Sequence, residues 1–584
     1  MRVNQYQKIE ILSNFRGKLH IQKCSIFKVF TKRSFFWVIT LLASWQEIGV
    51  FAREKIPTPL PESQQILKIG NGSEPRELDP STSSGTPASR ILDNIFEGLT
   101  QIDPFSYEPI PGVAEKWDIS PDGLEYKFLL RKNAKWSDGK NLDAHDFVKS
   151  WVRALDPKTA SEYAYQLYYI KNGEAFNTGK IKDPKQLGVS AVDKHTLLVT
   201  LEKPTAYFLH LTAFHTLYPT PSHVIEKYPD KEWTKEGKMV GNGPFKLAEW
   251  KLNNFVKLVP NEHYWDHKSV KLKEAFLYPI ENIDTEEKSF FSGELHLTSE
   301  VPLIKVPTYE RQKQRNKDKY HPYTTHPFLA TYFYRFNTSK KPFNDKRVRQ
   351  AFALTVDRKL LVERVTRRGE PPAQSFTPPG ISGYSFAGDL PTSVTPELIK
   401  KARELLKSAG YPDGKGFPKV ELLYNTSENH KKIALAIQQM WKKYLGVEIG
   451  IINQEWKVFL NTQKKLNYDI SRAGWVGDYP DPNTFLNMFV TGGGHNGTGW
   501  SNKKYDELID LAAKTVDKTK RFSYLHEAES ILMEELPVLP LYIYTRSQLI
   551  SQQVKMLDQQ DNIVDWTYNL ASRLFLKHYI LVQK

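Results

Sequence analysis

The chain has 584 residues, a mass of 67.5 kDa and a formal net charge of +15, with 40% hydrophobic and 25% charged residues. This is the composition of a globular protein with room for more than one domain, and it excludes a low-complexity chain. The basic residues form no stripe with interleaved aromatics, so no nucleic-acid partner is expected.

The amino-terminal segment has the features of an export signal. Lys32 and Arg33 precede an apolar run over 35–45, which is too short to span a bilayer. Val50-Phe51-Ala52 then supplies the −3 and −1 positions of a signal-peptidase site. We expect residues 1–52 to be the signal region, with cleavage after Ala52. An uncleaved anchor is the alternative, and a later start codon is compatible with the long leading segment.

Cysteine usage supports the same interpretation. The only cysteine, Cys24, lies ahead of the apolar run, so the chain has no lipobox after it. The expected mature chain has no cysteine, and therefore no disulfide, thiolate metal site or cysteine nucleophile. We expect a soluble, exported protein of the periplasm.

The first half of the mature chain reads mainly as strands. A Pro-rich leader, 53–65, comes before a strand over 66–69, and apolar spacing predicts a helix from Pro87 to Leu99. Further strands are expected at 126–130, 196–201 and 256–258.

The second half has clearer helix signals. Thr395 is the expected N-cap of a helix that begins at Pro396 and stops at Gly410. Its apolar face is expected to be Leu398, Ala402, Leu405 and Ala409. Another helix is expected over 430–445, ended by Gly446, followed by a buried strand over 447–452. Because helix and strand alternate, an α/β layer architecture follows.

The segment 471–485 carries an unusual mixture of side chains. Arg472, Trp475 and Asp478 lie within seven residues, around Gly474 and Gly477. A cation and an anion held this close suit a ligand with opposite charges at its two ends, and a peptide is such a ligand.

Sequence signals for other chemistry are weak. The chain has no phosphate-binding loop and no nucleophile elbow, and Gly241-Asn242-Gly243 is not a dinucleotide fingerprint. His263 and His267 have metal-ligand spacing but lack the metalloprotease Glu, so a surface turn is favoured. The triplet 492–494 is read as a surface loop rather than an anion cradle. The spacing of Asp478 and Asp481 leaves a glycosidase pair open.

Several sequence blocks occur in a characteristic order. They are Asn71-Gly72-Ser73-Glu74, Ala114-Glu115-Lys116-Trp117, Asn133-Ala134-Lys135-Trp136-Ser137-Asp138-Gly139, Asn242-Gly243-Pro244-Phe245, Pro260-Asn261-Glu262-His263-Tyr264-Trp265, Leu423-Tyr424-Asn425-Thr426-Ser427, His430-Lys431-Lys432, Asn453-Gln454-Glu455-Trp456, and the Arg472–Asp478 segment. With these blocks the chain resembles the periplasmic oligopeptide-binding proteins of ABC importers, the family 5 extracellular solute-binding proteins.

The resemblance implies an α/β, two-lobe periplasmic-binding-protein (Venus-flytrap) fold, hinge-linked, with an extra inserted domain. By analogy, lobe I comprises 53–96, 223–326 and 546–584. The extra domain is then 97–222 and lobe II is 327–545.

The resemblance also implies a binding site. Asp478 is expected to pair with the α-ammonium of a peptide, and Arg472 and His430 to serve its carboxylate. His430 is expected to be tunable in charge near neutral pH, or else to be a helix residue facing solvent. The backbones of Gly474-Trp475-Val476 and of Gly85-Thr86 are expected to flank the peptide like neighbouring strands. The remaining lining residues are expected to be Tyr163, Trp456, Asn425 and Tyr544, although each alone fits core packing.

Three positions depart from the family pattern. Ser84 stands in place of an acidic residue, Thr366 in place of a lysine, and Gln463 in place of an arginine. The amino-end anchor is therefore kept, whereas the cations for the carboxyl end are fewer.

The expected function is capture of short peptides and their delivery to the permease of an ABC importer, without catalysis and without a cofactor or metal. We expect a monomer whose partners are the peptide and the permease subunits. The open alternatives are a murein-peptide, nickel-chelate or haem receptor of the same fold, a peptidase or glycosidase, and a chaperone-like binder of unfolded chains.

Overall fold

The computed structural model describes residues 57–205, 207–315, 320–515, 517–558, 560–565 and 573–584. The predicted export signal therefore lies outside the described residues. Within the described ranges, no helix has both the length and the apolar character needed to cross a membrane.

The described chain alternates between strands and helices. The strands are β1 Ile66–Gly70, β2 Thr100–Ile102, β3 Pro109–Pro111, β4 Ala114–Ile119, β5 Glu125–Leu130, β6 Val189–Asp193, β7 Thr196–Thr200, β8 Phe245–Lys251, β9 Phe255–Pro260, β10 Glu274–Tyr278, β11 Tyr323–Phe336, β12 Glu421–Asn425, β13 Gly450–Gln454, β14 Ile470–Val476, β15 Val538–Leu549, β16 Val554–Leu557, β17 Ile563–Asp565 and β18 Tyr579–Leu581. The longer helices are Thr86–Ile95, Ala144–Leu155, Ile283–Phe291, Val306–Arg315, Lys346–Leu354, Pro396–Ser408, Glu428–Leu445, Trp456–Lys464, Lys503–Lys514 and Lys518–Glu535.

Shorter helical pieces connect these elements. They are the α-helices Gly173–Asn177, Phe208–Leu211, Ser222–Ile225, Arg358–Leu360 and Asn483–Leu486, and the π-helix Leu361–Thr366.

The described strands form several separate sheets. One has the order β1-β10-β9-β8, a second β4-β5-β7-β6, a third β17-β16-β18 and a fourth is the β2-β3 pair. The largest has the order β13-β12-β14-β11-β15 and mixes parallel and antiparallel neighbours. Strands far apart in sequence therefore meet, as β11 and β15 do in the largest sheet and β1 and β10 in the first.

Hydrophobic burial follows this division. One core cluster joins the first two sheets and includes Leu67, Phe128, Trp151 and, from the end of the chain, Leu581. Two further clusters, around Trp441 and around Phe376, contain residues from alternate positions of β11 and β14. The five-stranded sheet is thus buried on both faces.

The predicted helix caps are confirmed. Thr395 accepts a hydrogen bond from the Leu398 backbone N–H at the start of Pro396–Ser408, and Gly446 ends Glu428–Leu445 in the left-handed conformation. The apolar face of the first helix differs slightly from the expected one. Its buried residues are Ala402 and Leu406, whereas Leu405 is only half-buried.

Two predicted elements were wrong in extent. The helix expected over 87–99 ends at Ile95, because Phe96 is extended and the Asn242 side chain binds both the backbone N–H and the carbonyl of Glu97. The strand expected over 447–452 is Gly450–Gln454 instead. It is an edge strand with mostly exposed or half-buried residues, because it pairs only with β12.

Candidate functional site

A cavity of about 400 Å³ opens between the five-stranded sheet and the amino-terminal part of the fold. Its volume lies in the range of small-molecule and peptide sites. The structure brings all the sequence-predicted site residues to the wall of this one cavity: Gly85, Thr86, Tyr163, Asn425, His430, Trp456, Arg472, Gly474, Trp475, Val476, Asp478 and Tyr544.

The central strand β14 presents a free backbone edge to the cavity. All of β14 pairs with β11, but β12 pairs with it only at Ile470 and Ser471. Beyond Ser471 the two parallel strands separate, and no other described strand pairs with Gly474, Trp475 or Val476 on that side. Unpaired strand backbone of this kind is what an added strand binds.

Gly474 lets another backbone approach this edge. A Cβ at this position would lie 2.8 Å from the Tyr544 hydroxyl and 3.3 Å from Arg472 Nη2. The residue is exposed toward the cavity. A side chain here would therefore disturb the neighbouring groups and occupy space at the strand edge.

The second predicted flank is not a strand. Thr86 is the first residue of the helix Thr86–Ile95, Gly85 is its N-cap with φ +91°, and Pro87 follows in the first turn. The Pro and the positive φ explain why the backbone turns into a helix here. A Cβ at Gly85 would lie 2.9 Å from the Trp456 ring, so the glycine also allows close packing across the cavity.

The Asp478 carboxylate faces the cavity without a paired cation among the described residues. It accepts a hydrogen bond of 3.0 Å from Gln166 Nε2, and the Asp478 backbone N–H donates to the Thr484 hydroxyl at 3.0 Å. Burial raises the pKa of Asp478 to about 7, although the charge of Arg573 and the hydrogen bonds oppose this rise. A cation placed beside this carboxylate would return it to its ionised form.

Arg472 lies on the other side of the strand edge. Its guanidinium donates to the Tyr544 hydroxyl at 2.5 Å and to Asn425 Oδ1 at 3.1 Å, and it sits 4.8 Å from the centre of the Tyr332 ring. Its Nε has no hydrogen-bond partner. These neutral partners hold the side chain in place and leave its charge available to an anion.

His430 is buried rather than facing solvent. Its Nδ1 lies 3.3 Å from the Tyr332 hydroxyl, in the first turn of the helix Glu428–Leu445. Burial lowers its pKa well below the usual value, and the nearby charges of Arg472 and Arg368 lower it further. These effects disfavour the charged form of His430, which argues against a charge that is tuned near neutral pH.

Aromatic rings form one side of the cavity. The Tyr163 ring lies 4.3 Å from that of His495 and 6.4 Å from that of Trp475, and Trp475 donates its indole N–H to the Thr484 carbonyl. On another side, Trp456 stacks on Phe459 at 5.9 Å. These rings offer apolar faces to ligand side chains.

Sequence reasoning missed several lining residues. They are Glu162, Arg335, Arg368, Arg573 and His495, and Gln166 was missed as the hydrogen-bond donor to Asp478. No local spacing marks them, and all except His495 come from elements remote in sequence from the 471–485 segment.

The departures from the family pattern have defined surroundings. Thr366 is buried and donates to Glu370, so it does not line the cavity. The adjacent Arg368 does line it, but Glu370 binds it at 2.7 Å. Ser84 and Gln463 both line the cavity, and Ser84 donates to Glu162.

Other proposed chemistries find no support in the geometry. Asp481 is bound by both terminal nitrogens of Arg521, at 2.6 and 2.8 Å, and does not line the cavity, so it forms no catalytic pair with Asp478. The described residues contain no cluster of three or more metal-ligating side chains. His267 lies in a short turn, as expected, and binds the Asn261 carbonyl.

The cavity can thus hold an elongated ligand with a cation beside Asp478 and an anion beside Arg472. Between them, the strand edge offers unpaired backbone groups. The arrangement suits the generic features of a peptide, which are two charged ends and a backbone with hydrogen-bonding groups.

Comparisons with known proteins agree with this geometry. Residues 108–497 match the family model of bacterial extracellular solute-binding proteins, family 5. The chain is 39% identical over 518 residues to the periplasmic murein peptide-binding protein MppA of Escherichia coli (strain K12), covering 88% of this chain and 94% of that one. It is 38% identical over 502 residues to the oligopeptide-binding protein OppA of Bacillus subtilis (strain 168), and the match covers 85% of this chain and 90% of that one.

Solved structures confirm the predicted fold class. The structure of E. coli MppA aligns with a TM-score of 0.82 at 37% identity, covering 89% of this chain and 99% of that one. The structure of Haemophilus influenzae OppA in complex with the peptide RPPGFSPFR also aligns with a TM-score of 0.82, at 32% identity, covering 89% of this chain and 99% of that one. The unliganded open form of MppA gives only 0.60 over 90% of this chain and 99% of that one.

Proposed function

Because the chain belongs to the bacterial extracellular solute-binding proteins of family 5, we propose that it captures short peptides outside the cytoplasm and delivers them to an ABC-type oligopeptide importer. One observation carries this proposal. The same cavity wall holds a carboxylate without a counter-charge, Asp478, and a guanidinium without a counter-charge, Arg472, on either side of a free strand edge.

We assign the peptide ammonium to Asp478. Burying a carboxylate without a cation is unfavourable, as the raised pKa of Asp478 reflects, and a ligand ammonium beside it would remove this cost. The peptide carboxylate is assigned to Arg472, with His430 as a neutral hydrogen-bonding neighbour. The backbone of 474–476 pairs with the peptide as one strand pairs with the next.

This chain acts as a binding protein rather than as an enzyme. Its relatives are named as binding proteins, and Asp478 has no second free carboxylate beside it in the described cavity wall. The protein functions in the periplasm as a monomer after removal of residues 1–52. Its partners are the peptide and the permease subunits.

A second candidate is a murein-peptide receptor. The observation that favours it is the 39% identity to MppA, a value close to the 38% found for OppA. Both candidate functions place a free amine of the ligand beside Asp478 and share one fold. Only the identity of the bound ligand distinguishes an oligopeptide receptor from a murein-peptide receptor.

The first experiment compares the affinities of tri-alanine and N-acetyl-tri-alanine by isothermal titration calorimetry on residues 53–584. We expect acetylation to weaken binding about 100-fold or more, because the ammonium can no longer neutralise the buried carboxylate. Equal affinities would remove the ammonium assignment, and no binding of either peptide would remove the proposed function.

A variant tests the same contact from the protein side. Asp478→Asn should lose affinity for free-amine peptides by a similar factor, whereas Asp389→Asn, at an exposed aspartate far along the chain, should keep it. Native mass spectrometry of the purified protein then separates the two candidates. Ordinary peptides in the bound fraction support the first, and murein peptides support the second.

A further inference from the structure

Arg335 is a second unneutralised guanidinium in the cavity wall. It lies near the end of β11, opposite Ser471 of β14, and is only 9% exposed. Residues that are paired across two neighbouring strands point to the same face of the sheet. Arg335 is paired with Ser471, whereas Arg472 is paired with Tyr334, the neighbour of Arg335 in the chain. The two arginine side chains therefore project from different faces of the sheet. The two cations therefore serve different parts of the cavity.

The hydrogen bonds of Arg335 are few and long. Nη1 lies 3.5 Å from Gln463 Oε1, Nη2 lies 3.4 Å from the His495 carbonyl, and Nε has no partner. A Cβ at Gly497 would come within 2.6 Å of Nη1, so the glycine leaves the room that this guanidinium occupies. A buried guanidinium can form five hydrogen bonds, and Arg335 is far from that number.

No described carboxylate lies within ion-pair distance of Arg335. The nearest candidate in the wall is Glu162, which is already bound by Arg76 and Lys464, each at 3.1 Å, and by the Ser84 hydroxyl. Two other buried arginines have carboxylate partners, as Arg368 has Glu370 and Arg521 has Asp481. The buried Arg349 and Arg358 instead donate several short hydrogen bonds to backbone carbonyls, an arrangement that Arg335 also lacks. Leaving a buried charge without such a partner is costly, and a ligand anion would compensate it.

We infer that Arg335 makes this cavity selective for peptides that carry a second carboxylate in addition to the terminal one, an inference that rests on the proposed function. The pocket for this carboxylate is formed by Arg335 and Gln463, with His495 at its side. The His495 ring packs on Tyr163 and Trp475, so the aliphatic part of an acidic side chain contacts aromatic rings while its carboxylate reaches the guanidinium.

The test compares tripeptides in which glutamate or glutamine replaces each alanine of tri-alanine in turn. At one position or more, we expect the glutamate peptide to bind at least about 10-fold more tightly than its glutamine counterpart, because a charge-assisted hydrogen bond replaces a neutral one. The lysine peptide at that position should bind most weakly. Equal affinities for glutamate and glutamine at every position would overturn the inference.

A pair of variants assigns the preference to Arg335. Arg335→Gln should reduce the glutamate-to-glutamine ratio to near one, while its affinity for the glutamine peptide changes little. Gln463→Glu places a carboxylate of the chain beside the guanidinium and should also abolish the preference. This second variant keeps the test informative if Arg335→Gln does not fold. A preference that survives in a folded variant contradicts the assignment.

The results also distinguish this inference from the proposed function. If peptides bind without preference for glutamate, only the inference fails. If no peptide binds, both fail. The second carboxylate has two possible sources, an acidic side chain or the α-carboxylate of a γ-linked glutamate. Titration with Ala-Glu-Ala and with its γ-glutamyl isomer separates them, and tight binding of either one over the glutamine peptide supports the inference.

Discussion

At the scale of single residues, the cavity depends on charges that the folded chain leaves without counter-charges. Asp478 has only hydrogen bonds, from Gln166, which is 312 residues away in sequence, and from Thr484, which is six residues away. We propose that opening of the cavity breaks the Gln166 contact and admits water to the carboxylate. The cost of burying Asp478 therefore belongs to the closed, empty form, and a ligand ammonium removes it.

This cost depends on pH in a definite direction. The pKa of Asp478 is raised to about 7 in the closed cavity, so the closed, empty form binds a proton more tightly than the open form, in which we expect the ordinary value near 3.8. Closing without ligand is therefore most unfavourable at pH 7 and above, by about 4 kcal/mol, and the penalty disappears as the pH falls toward 4.

We predict that the empty protein is more compact at pH 5 than at pH 8, as measured by the radius of gyration in small-angle X-ray scattering. Asp478→Asn has no carboxylate to titrate and should give the same radius at both values. A pH effect of equal size in this variant would assign the change to other groups.

At the scale of elements, the separation of β12 from β14 creates the binding edge. The two strands pair in parallel from Leu422 and Ile470 to Leu423 and Ser471, and no pairing continues toward Asn425 and Val476. The neighbouring β11–β15 pair has its own irregularity, a break in register between Pro327 and Thr331. We propose this break as the hinge, since it lies at the boundary between the proposed lobes at residues 326 and 327.

The strand edge leads to a prediction about Gly474. Gly474→Val should weaken the binding of tri-alanine by at least about 10-fold, because its side chain would displace Tyr544 and occupy the space of the peptide backbone. Calorimetry measures this loss, and the thermal unfolding temperature shows whether the variant remains folded. Unchanged affinity in a folded variant would argue that the peptide does not approach this edge.

At the scale of the whole molecule, two structures of MppA align differently with this chain. The first one described above gives a TM-score of 0.82, whereas the unliganded open form gives 0.60. Contacts between the proposed extra domain and the proposed lobe II hold this arrangement. The Tyr207 ring stacks on that of Tyr479 at 4.7 Å, and Asn483 donates to the Tyr169 hydroxyl at 2.9 Å. We interpret the conformation as a closed one, which a bound peptide would stabilise from both sides.

The absence of cysteine after Cys24 allows this closure to be measured directly. In the chain 53–584, Lys180→Cys and Lys415→Cys give two exposed labelling sites, one in the proposed extra domain and one in proposed lobe II. We expect tri-alanine to shift single-molecule energy transfer to a second, saturable value, whereas N-acetyl-tri-alanine at the same concentration leaves it unchanged. One value throughout the titration would contradict ligand-linked closure.

Much of the local structure was accessible from the sequence. The capping residues Thr395 and Gly446 and the strands near 66–70 and 125–130 follow from short-range rules, because the groups involved lie within a few residues of each other. The blocks of family sequence were also sufficient to predict the fold class and a set of residues that meet at one cavity. The early end of the Thr86–Ile95 helix was not, since it depends on Asn242, which is remote in the chain.

The sequence by itself determined the segment 471–485, its opposite charges and its resemblance to peptide-binding proteins. Only the tertiary structure decided which charges are neutralised. Gln166 meets Asp478 across 312 positions of the chain, and Arg335 meets Gln463 across 128. The pKa of His430 is lowered because the fold buries it beside two arginines. Such outcomes depend on distances and on exclusion of water, and these exist only once remote elements have packed together.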